Sequence, residues 1–168
     1  MKIINSTTAN IPAIFELYDG ATSYQKTVNN KSWKGFEQAL IEQEINEKRH
    51  FVILEDDEVA CTFLIAFNNL TLWNDNGSDQ AIYLHRIATN PNFRGRNYVQ
   101  KIVDWAVDYA KENNLSFVRL DTHSGNERLN AHYIKCGFTF KGIHSIEWTP
   151  DLPVHYKDGP FSLFEIEI

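Results

Sequence analysis

The segment Leu84-His85-Arg86-Ile87-Ala88-Thr89-Asn90-Pro91-Asn92-Phe93-Arg94-Gly95-Arg96-Asn97-Tyr98 decides the reading of this chain. It opens as a hydrophobic strand, passes through a proline-bearing turn rich in arginine and glycine, and enters a strongly amphipathic helix near Tyr98. A strand that runs directly into a helix N-terminus leaves several main-chain N–H groups without intrahelical acceptors, with the positive end of the helix dipole behind them. Phosphate groups seat at such ends. Arg94 and Arg96 can add charge-assisted hydrogen bonds, and Gly95 allows a ligand to approach the backbone closely.

Downstream lies a second motif, Asn126-Glu127-Arg128-Leu129-Asn130-Ala131-His132-Tyr133-Ile134-Lys135-Cys136-Gly137-Phe138. Taken with the strand, the Arg94-Gly95-Arg96-Asn97 turn and the helix, it resembles the GNAT N-acetyltransferases in both content and order. The chain departs from the family's Arg-Gly-x-Gly pattern at Asn97, where the second glycine would stand. Asn tolerates left-handed backbone better than most residues, but its side chain adds bulk beside a diphosphate.

The resemblance implies an acetyl-CoA co-substrate whose pantetheine arm lies between the strand ending near Thr89 and the strand starting near Phe117. That arm would run beside Ile87, Ala88 and Thr89, bonded to the main chain at Ile87 and Thr89. The backbone of Arg94, Gly95, Arg96, Asn97, Tyr98 and Val99 would hold the diphosphate, and Asn126 would touch the arm as well as capping its helix. Tyr133 matches the family tyrosine that gives a proton or hydrogen bond to the departing sulfur; a core tyrosine is the alternative. His85 is the candidate base, at a position where the serotonin N-acetyltransferase branch also carries a histidine. Tyr83, Asp121 and His123 are fallback members of a water-linked relay, and some members of the family use no dedicated base. His144, Trp148 and His155 fall where the family's acceptor pocket closes.

The chemistry limits these roles. A thiol near pKa 8.5 and a phenol near 10 make full proton transfer from Tyr133 uphill by roughly 2 kcal/mol, so it should stabilise the thiolate first and protonate it late. An imidazole near 6.5 cannot efficiently strip an ammonium near 10.4. It can take the far more acidic proton that nitrogen carries after attack.

The rest of the chain supports one compact domain over residues 1–168, with an α/β (α+β) architecture. The expected sheet is mixed and mostly antiparallel, and the resemblance implies helices on both faces and a splayed parallel strand pair. Of 168 residues, 43% are hydrophobic and 13% aromatic, enough for a substantial core. Asn10 is expected to cap a first helix carrying Ile11, Ile14, Phe15 and Tyr18, with Asn29-Asn30-Lys31-Ser32 breaking the pattern. A second helix is expected over Trp33, Phe36, Leu40 and Ile41 to about Arg49.

Phe51–Leu54 and Val59–Phe67 read as strands around the acidic turn Glu55-Asp56-Asp57-Glu58, taken as solvated. The loop from Asn68 to Asp79 holds Asn76-Gly77 and Trp73, which either covers a ligand or docks on the surface. Val99, Ile102, Val103, Ala106, Tyr109 and Ala110 form the apolar stripe of the best-defined helix. Further on, Phe117–Asp121 is a strand, Asn126–Cys136 a helix stopped by Gly137, and Phe138–Ile143 a strand. Trp148–Pro160, with Pro150, Pro153 and Pro160, is an irregular loop, and Phe161–Ile168 alternates as a final strand.

Composition excludes other classes. The net charge of −6 argues against general nucleic-acid binding, while Arg86, Arg94, Arg96 and Lys101 concentrate positive charge locally, as an anionic ligand requires. No apolar run approaches the roughly 18 residues of a membrane span, and Met1-Lys2-Ile3-Ile4-Asn5 lacks a signal-peptide core, so a cytoplasmic enzyme without a membrane partner is expected. Cys61 and Cys136 lack metal-ligand spacing and are expected to be buried free thiols. Neither a nucleophile elbow nor a zinc spacing is present. The expected activity is direct acetyl transfer to a small amine or amino-acid-like acceptor. A protein or peptide acceptor and a non-catalytic acyl-CoA-binding module are the alternatives. A homodimer is expected through a sheet edge formed by the last strands.

Overall fold

The computed structural model describes residues 1–28, 31–73, 80–152 and 154–168. The expectations for Asn29-Asn30, Asn76-Gly77 and Pro153 lie outside these residues. By contact the chain divides into two units, Met1–Ile65 with His85–Tyr98, and Ala66–Leu84 with Val99–Ile168.

In the first unit, β1 (Lys2–Asn5) pairs antiparallel with β2 (His50–Glu55), which pairs antiparallel with Glu58–Leu64 of β3 (Glu58–Ala66). Asp56 and Asp57 both have positive φ, +50° and +64°, the backbone that a two-residue hairpin turn demands and that Asp tolerates. α1 (Ile11–Val28) buries Ile11, Ile14, Leu17 and Tyr18, and α2 (Gln38–Asn46) buries Ile41 and Ile45. With Val52 and Ala88 these side chains form one apolar cluster.

Two helix starts differ from expectation. Asn10 does not cap α1 directly. It ends a preceding 3-10 turn, Thr8–Asn10, and its Oδ1 accepts the Thr7 N–H at 2.8 Å, so the capping reaches back one turn. The second helix begins at Gln38 rather than Trp33, because Gly35 adopts φ +93° and interrupts the helical path. Trp33 and Phe36 instead fold onto Tyr18, with ring centroids 5.5 and 4.9 Å away.

β4 (Ala81–Thr89) contributes Ala81–Leu84 to the second unit and its remaining residues to the first. In the second unit Ala81–Leu84 pair in parallel with Phe117–Leu120 of β5 (Phe117–His123). α4 (Tyr98–Glu112) fully buries Ile102, Val103, Ala106 and Ala110, while Val99 and Tyr109 of the expected stripe are half-buried. α5 (Glu127–Lys135) is capped by Asn126, whose Oδ1 accepts the Leu129 N–H at 3.0 Å. It ends in a Schellman motif: Gly137 at φ +104° donates to Ile134, and Phe138 donates to Tyr133.

Strand order is β1-β2-β3-β4-β5-β7-β6, with β6 at Thr139–His144 and β7 at Phe161–Glu167. The sheet is thus mixed, with one parallel pair among antiparallel ones. The final strand is not an edge. β7 pairs on one side with β5 and on the other with β6, and its first five residues are buried. The edge is β6, which exposes Phe140 and Ile143. The edge expected from the last strands is therefore β6 and not Phe161–Ile168, because strand insertion, invisible to local alternation, covers β7 on both sides.

Trp73 ends a four-residue helix, α3 (Leu70–Trp73), and docks on its own unit over the Arg119 guanidinium at 4.4 Å. Cys61 and Cys136 are both buried and free. Among the described residues no helix is long and apolar enough to cross a membrane.

Candidate functional site

The turn predicted to hold phosphate is built in the first unit by Asn90. Its N–H donates to Ala60 at 2.9 Å, its Nδ2 to Val59 at 3.2 Å, and its Oδ1 accepts the Asn92 N–H at 3.0 Å. These bonds set a 3-10 turn over Pro91–Phe93, whose aromatic ring is buried. The chain then needs two left-handed residues before α4 begins. Gly95 takes φ +81° and Asn97 takes φ +56°.

Asn97 thus takes a left-handed backbone that glycine adopts without strain and that Asn tolerates better than most residues. Among the described residues, the N–H groups of Gly95, Arg96, Asn97 and Val99 donate to no main-chain carbonyl. α4 carries no acidic residue in its first turn, so its N-terminal dipole is uncompensated by a carboxylate there.

The two arginines of the turn differ. Arg96 Nη1 donates to Glu55 Oε2 at 2.5 Å, and its guanidinium covers Phe93 at 4.8 Å. Glu55 is therefore an anchor of the turn rather than a solvated hairpin acid. Arg94 lies over Tyr24 at 5.2 Å and is exposed. Tyr98 has its side chain buried, and burial followed by the nearby Glu55 carboxylate pushes its phenol up to about 12. Any contribution from Tyr98 to an anion site is then through its main chain. A cavity of about 290 Å³ beside Asn90 and Pro91 is lined by Glu16 and Glu58, which suits it poorly to a phosphate.

His85, Ile87 and Thr89 of β4 are half-buried and Ala88 is buried. Thr89 Oγ1 lies 3.5 Å from Cys61 Sγ, whose thiol burial pushes up to about 11. Between His85 and Ile87, Arg86 adopts φ +50°. A positive φ on a long side chain inside a strand is uncommon, and it is held by an ion pair to the buried Glu44 and by stacking over Phe36 at 4.8 Å. The sequence marked Arg86 only as local positive charge.

Asn126 and Tyr133 lie in the second unit. Asn126 is occupied as the cap of α5. Tyr133 is half-buried, with its ring 5.4 Å from Phe164 and 6.1 Å from Phe138. Burial, then the charge of Asp121, pushes its phenol well above the ordinary tyrosine range.

Asp121, only a fallback in the sequence, stands out here. Its Oδ1 accepts the Asn69 Nδ2–H at 3.2 Å, and the Tyr156 hydroxyl donates to Asn69 Oδ1 at 3.3 Å. Burial raises the Asp121 carboxyl to about 7, against the opposing pull of the Asn69 hydrogen bond. Tyr83 is instead tied to a structural charge, its hydroxyl accepting from Arg119 Nη1 at 3.0 Å, while Arg119 Nε donates to Glu165 at 2.8 Å.

Of the expected acceptor-side residues, His144 is exposed at the end of β6. Trp148 is half-buried, with the Lys157 ammonium 4.2 Å from its ring centroid. The His155 side chain is outside the description.

Comparison with known proteins matches the acetyltransferase (GNAT) family over residues 11–138. The chain is 27% identical over 160 residues to the uncharacterized N-acetyltransferase YesJ of Bacillus subtilis, covering 84% of this chain and 89% of that protein. It is similar in fold to a GNAT-family acetyltransferase from Listeria monocytogenes, with TM-score 0.78 and 24% identity over 99% of this chain and 94% of that one. It is also similar in fold to YncA of Salmonella typhimurium, a putative acetyltransferase whose structure holds acetyl-CoA. There the TM-score is 0.70, with 13% identity over 99% of this chain and 93% of that one.

Proposed function

The chain belongs to the acetyltransferase (GNAT) family of acyltransferases, and from that premise we propose that residues 1–168 act as one N-acetyltransferase domain. It moves an acetyl group from acetyl-CoA to the primary amine of a small acceptor by direct attack on the thioester. The observation that carries this reading is the open set of N–H groups on Gly95, Arg96, Asn97 and Val99 at the start of α4. Their number and direction of polarity fit a diphosphate, and acetyl-CoA bound to the similarly folded YncA supports the identity of the donor.

In this reading Arg94 adds a cation to the diphosphate, and Ile87, Ala88 and Thr89 flank the pantetheine arm. Asn126 touches that arm while it caps α5. A neutral amine attacks the thioester carbonyl, charge collects on oxygen and then on sulfur, and the phenol of Tyr133 hydrogen-bonds the sulfur as it leaves. Even an ordinary phenol loses its proton to a thiolate at a cost of roughly 2 kcal/mol, and burial of Tyr133 adds to that. Tyr133 therefore stabilises the thiolate before protonating it. The proton released by nitrogen goes to a base, for which His85 is the candidate drawn from the family resemblance.

The test is thiol release from acetyl-CoA in the presence of a panel of small amines, amino acids and peptides, with thermal unfolding in parallel. Acetyl-CoA at saturating concentration should raise the melting temperature by several degrees. Tyr133→Phe should lower kcat about 10²-fold while leaving acetyl-CoA binding intact. Thermal stabilisation with no thiol release for any acceptor would overturn the enzymatic reading, and preference for peptides would replace the small amine with a protein acceptor.

A further inference from the structure

We propose that Tyr24, with the guanidinium of Arg94 over its ring, is the seat for the adenine of the donor, so that the chain selects acetyl-CoA over donors that carry the same arm without a nucleoside. This inference rests on the acetyl-transfer reading above.

Within the first unit, α1 lies alongside the chain that runs from β4 into the phosphate turn. Its Tyr18 ring lies under Arg86, with the guanidinium carbon 5.7 Å from the centroid. Ala13, Leu17 and Gly20 line the same cavity as Asn90 and Pro91. Tyr24 lies under Arg94, with the guanidinium carbon 5.2 Å from the centroid. Ala13, Leu17, Gly20 and Tyr24 stand at i, i+4, i+7 and i+11, which is one row on a helix of about 3.6 residues per turn. Tyr24 thus continues the row that faces Asn90 and Pro91, about 6 Å beyond Gly20 at 1.5 Å per residue.

The Tyr24–Arg94 pair differs from the other aromatic–arginine contacts of this unit. Tyr18 and Phe36 lie against Arg86, which is ion-paired with the buried Glu44. Phe93 is buried under Arg96, which is bound to Glu55. Tyr24 is 50% exposed with Arg94 in place, and among the described residues neither side chain hydrogen-bonds to another. An open aromatic ring and an uncommitted guanidinium plane are the two surfaces on which proteins stack bases.

The chemistry of the donor gives the direction. In the acetyl-transfer reading the diphosphate rests on the N–H groups of Gly95, Arg96, Asn97 and Val99, and the arm runs back from there past Thr89, Ala88 and Ile87. The adenosine is joined to the other end of the diphosphate, so it leaves the turn on a course different from that of the arm. Tyr24 meets the turn at Arg94, five residues beyond Thr89, and is the exposed aromatic residue of α1. Arg94 then serves twice, its charge on the diphosphate and its plane beside the base.

The experiment is isothermal titration of the full chain as wild type, Tyr24→Ala and Tyr24→Trp with three probes. Acetyl-CoA is the whole donor, S-acetyl-4′-phosphopantetheine has the arm and one phosphate without the nucleoside, and adenosine 3′,5′-bisphosphate has the nucleoside without the arm. Tyr24→Ala should weaken acetyl-CoA and the bisphosphate each about tenfold and leave S-acetyl-4′-phosphopantetheine within about twofold. Tyr24→Trp should keep the affinity for all three, because its ring stacks on a base at least as well. Tyr24 lies outside the core, and the melting temperature of the ligand-free variants checks that the fold is kept. Equal weakening of acetyl-CoA and S-acetyl-4′-phosphopantetheine would make Tyr24 a support for Arg94 and overturn the assignment. Acetyl-CoA binding that Tyr24→Ala leaves unchanged would overturn it too. Failure of the wild-type chain to bind acetyl-CoA overturns the transfer reading itself, and this inference with it.

Discussion

Arg86 stands at φ +50° in the middle of β4, and its guanidinium is ion-paired with the carboxylate of Glu44, whose side chain is only 4% exposed. Each partner keeps one buried atom, Arg86 Nη1 and Glu44 Oε2, without a hydrogen bond among the described residues. The pair therefore holds a strained backbone residue at the cost of desolvating two charges.

Removing one member leaves the other buried and uncompensated. Glu44→Ala should destabilise the fold by about 3–5 kcal/mol. The double variant Glu44→Met/Arg86→Met should cost clearly less than the sum of Glu44→Met and Arg86→Met made singly. Urea midpoints for the three variants check this, and strict additivity would show that the pair is not coupled.

His50 predicts a pH dependence. It is fully buried, with Nδ1 2.8 Å from Ser6 Oγ and Nε2 2.9 Å from Tyr18 OH, and burial, then the charges of Arg86 and Arg49, lowers its imidazole to about 4. A folded-state value below the unfolded value near 6.5 means that the neutral ring stabilises the native state. That contribution is complete above pH 6.5 and is lost as pH falls from there toward 4. The melting temperature should decline across this window, and NMR shifts of the His50 ring should remain those of a neutral imidazole at pH 5.5.

At Asn97 the backbone conformation, rather than the amide, is what the turn requires. Asn97→Gly should leave the melting temperature within a degree or two. Asn97→Val should lower it by several degrees, since a β-branched residue at φ +56° costs on the order of 1–2 kcal/mol. Differential scanning fluorimetry separates the two outcomes.

The two turn arginines should separate in binding. Arg94→Ala should weaken acetyl-CoA about tenfold at low ionic strength, with the loss shrinking as salt is raised. Arg96 is already engaged by Glu55, so Arg96→Ala should weaken binding several-fold less and change stability little, since an exposed ion pair is well screened. Isothermal titration at two salt concentrations measures both. Equal losses would mean that Arg96 exchanges Glu55 for the ligand.

What the sequence disclosed follows the range of the interactions involved. The strand, turn and helix from Ala81 to Glu112 were legible because their signals are local: an apolar run, Gly95 and Asn97 in sequence, and a 3.6-residue period. The Asn126 cap and the Gly137 stop were legible for the same reason. Trp33 and Phe36 mimic helical spacing, and only the φ of Gly35 shows that the helix does not form there. Arg86 and Glu44 are separated by 42 residues, and Asn69 and Asp121 by 52, so neither partnership leaves a local trace.

The insertion of β7 between β5 and β6 sets an order on biosynthesis. While a ribosome is still translating the stretch before Phe161, β5 and β6 have both been made but lack the strand that joins them, and the apolar side chains of Phe140 and Phe164 cannot yet meet. Closure of this half of the sheet is consequently delayed until that strand leaves the exit tunnel.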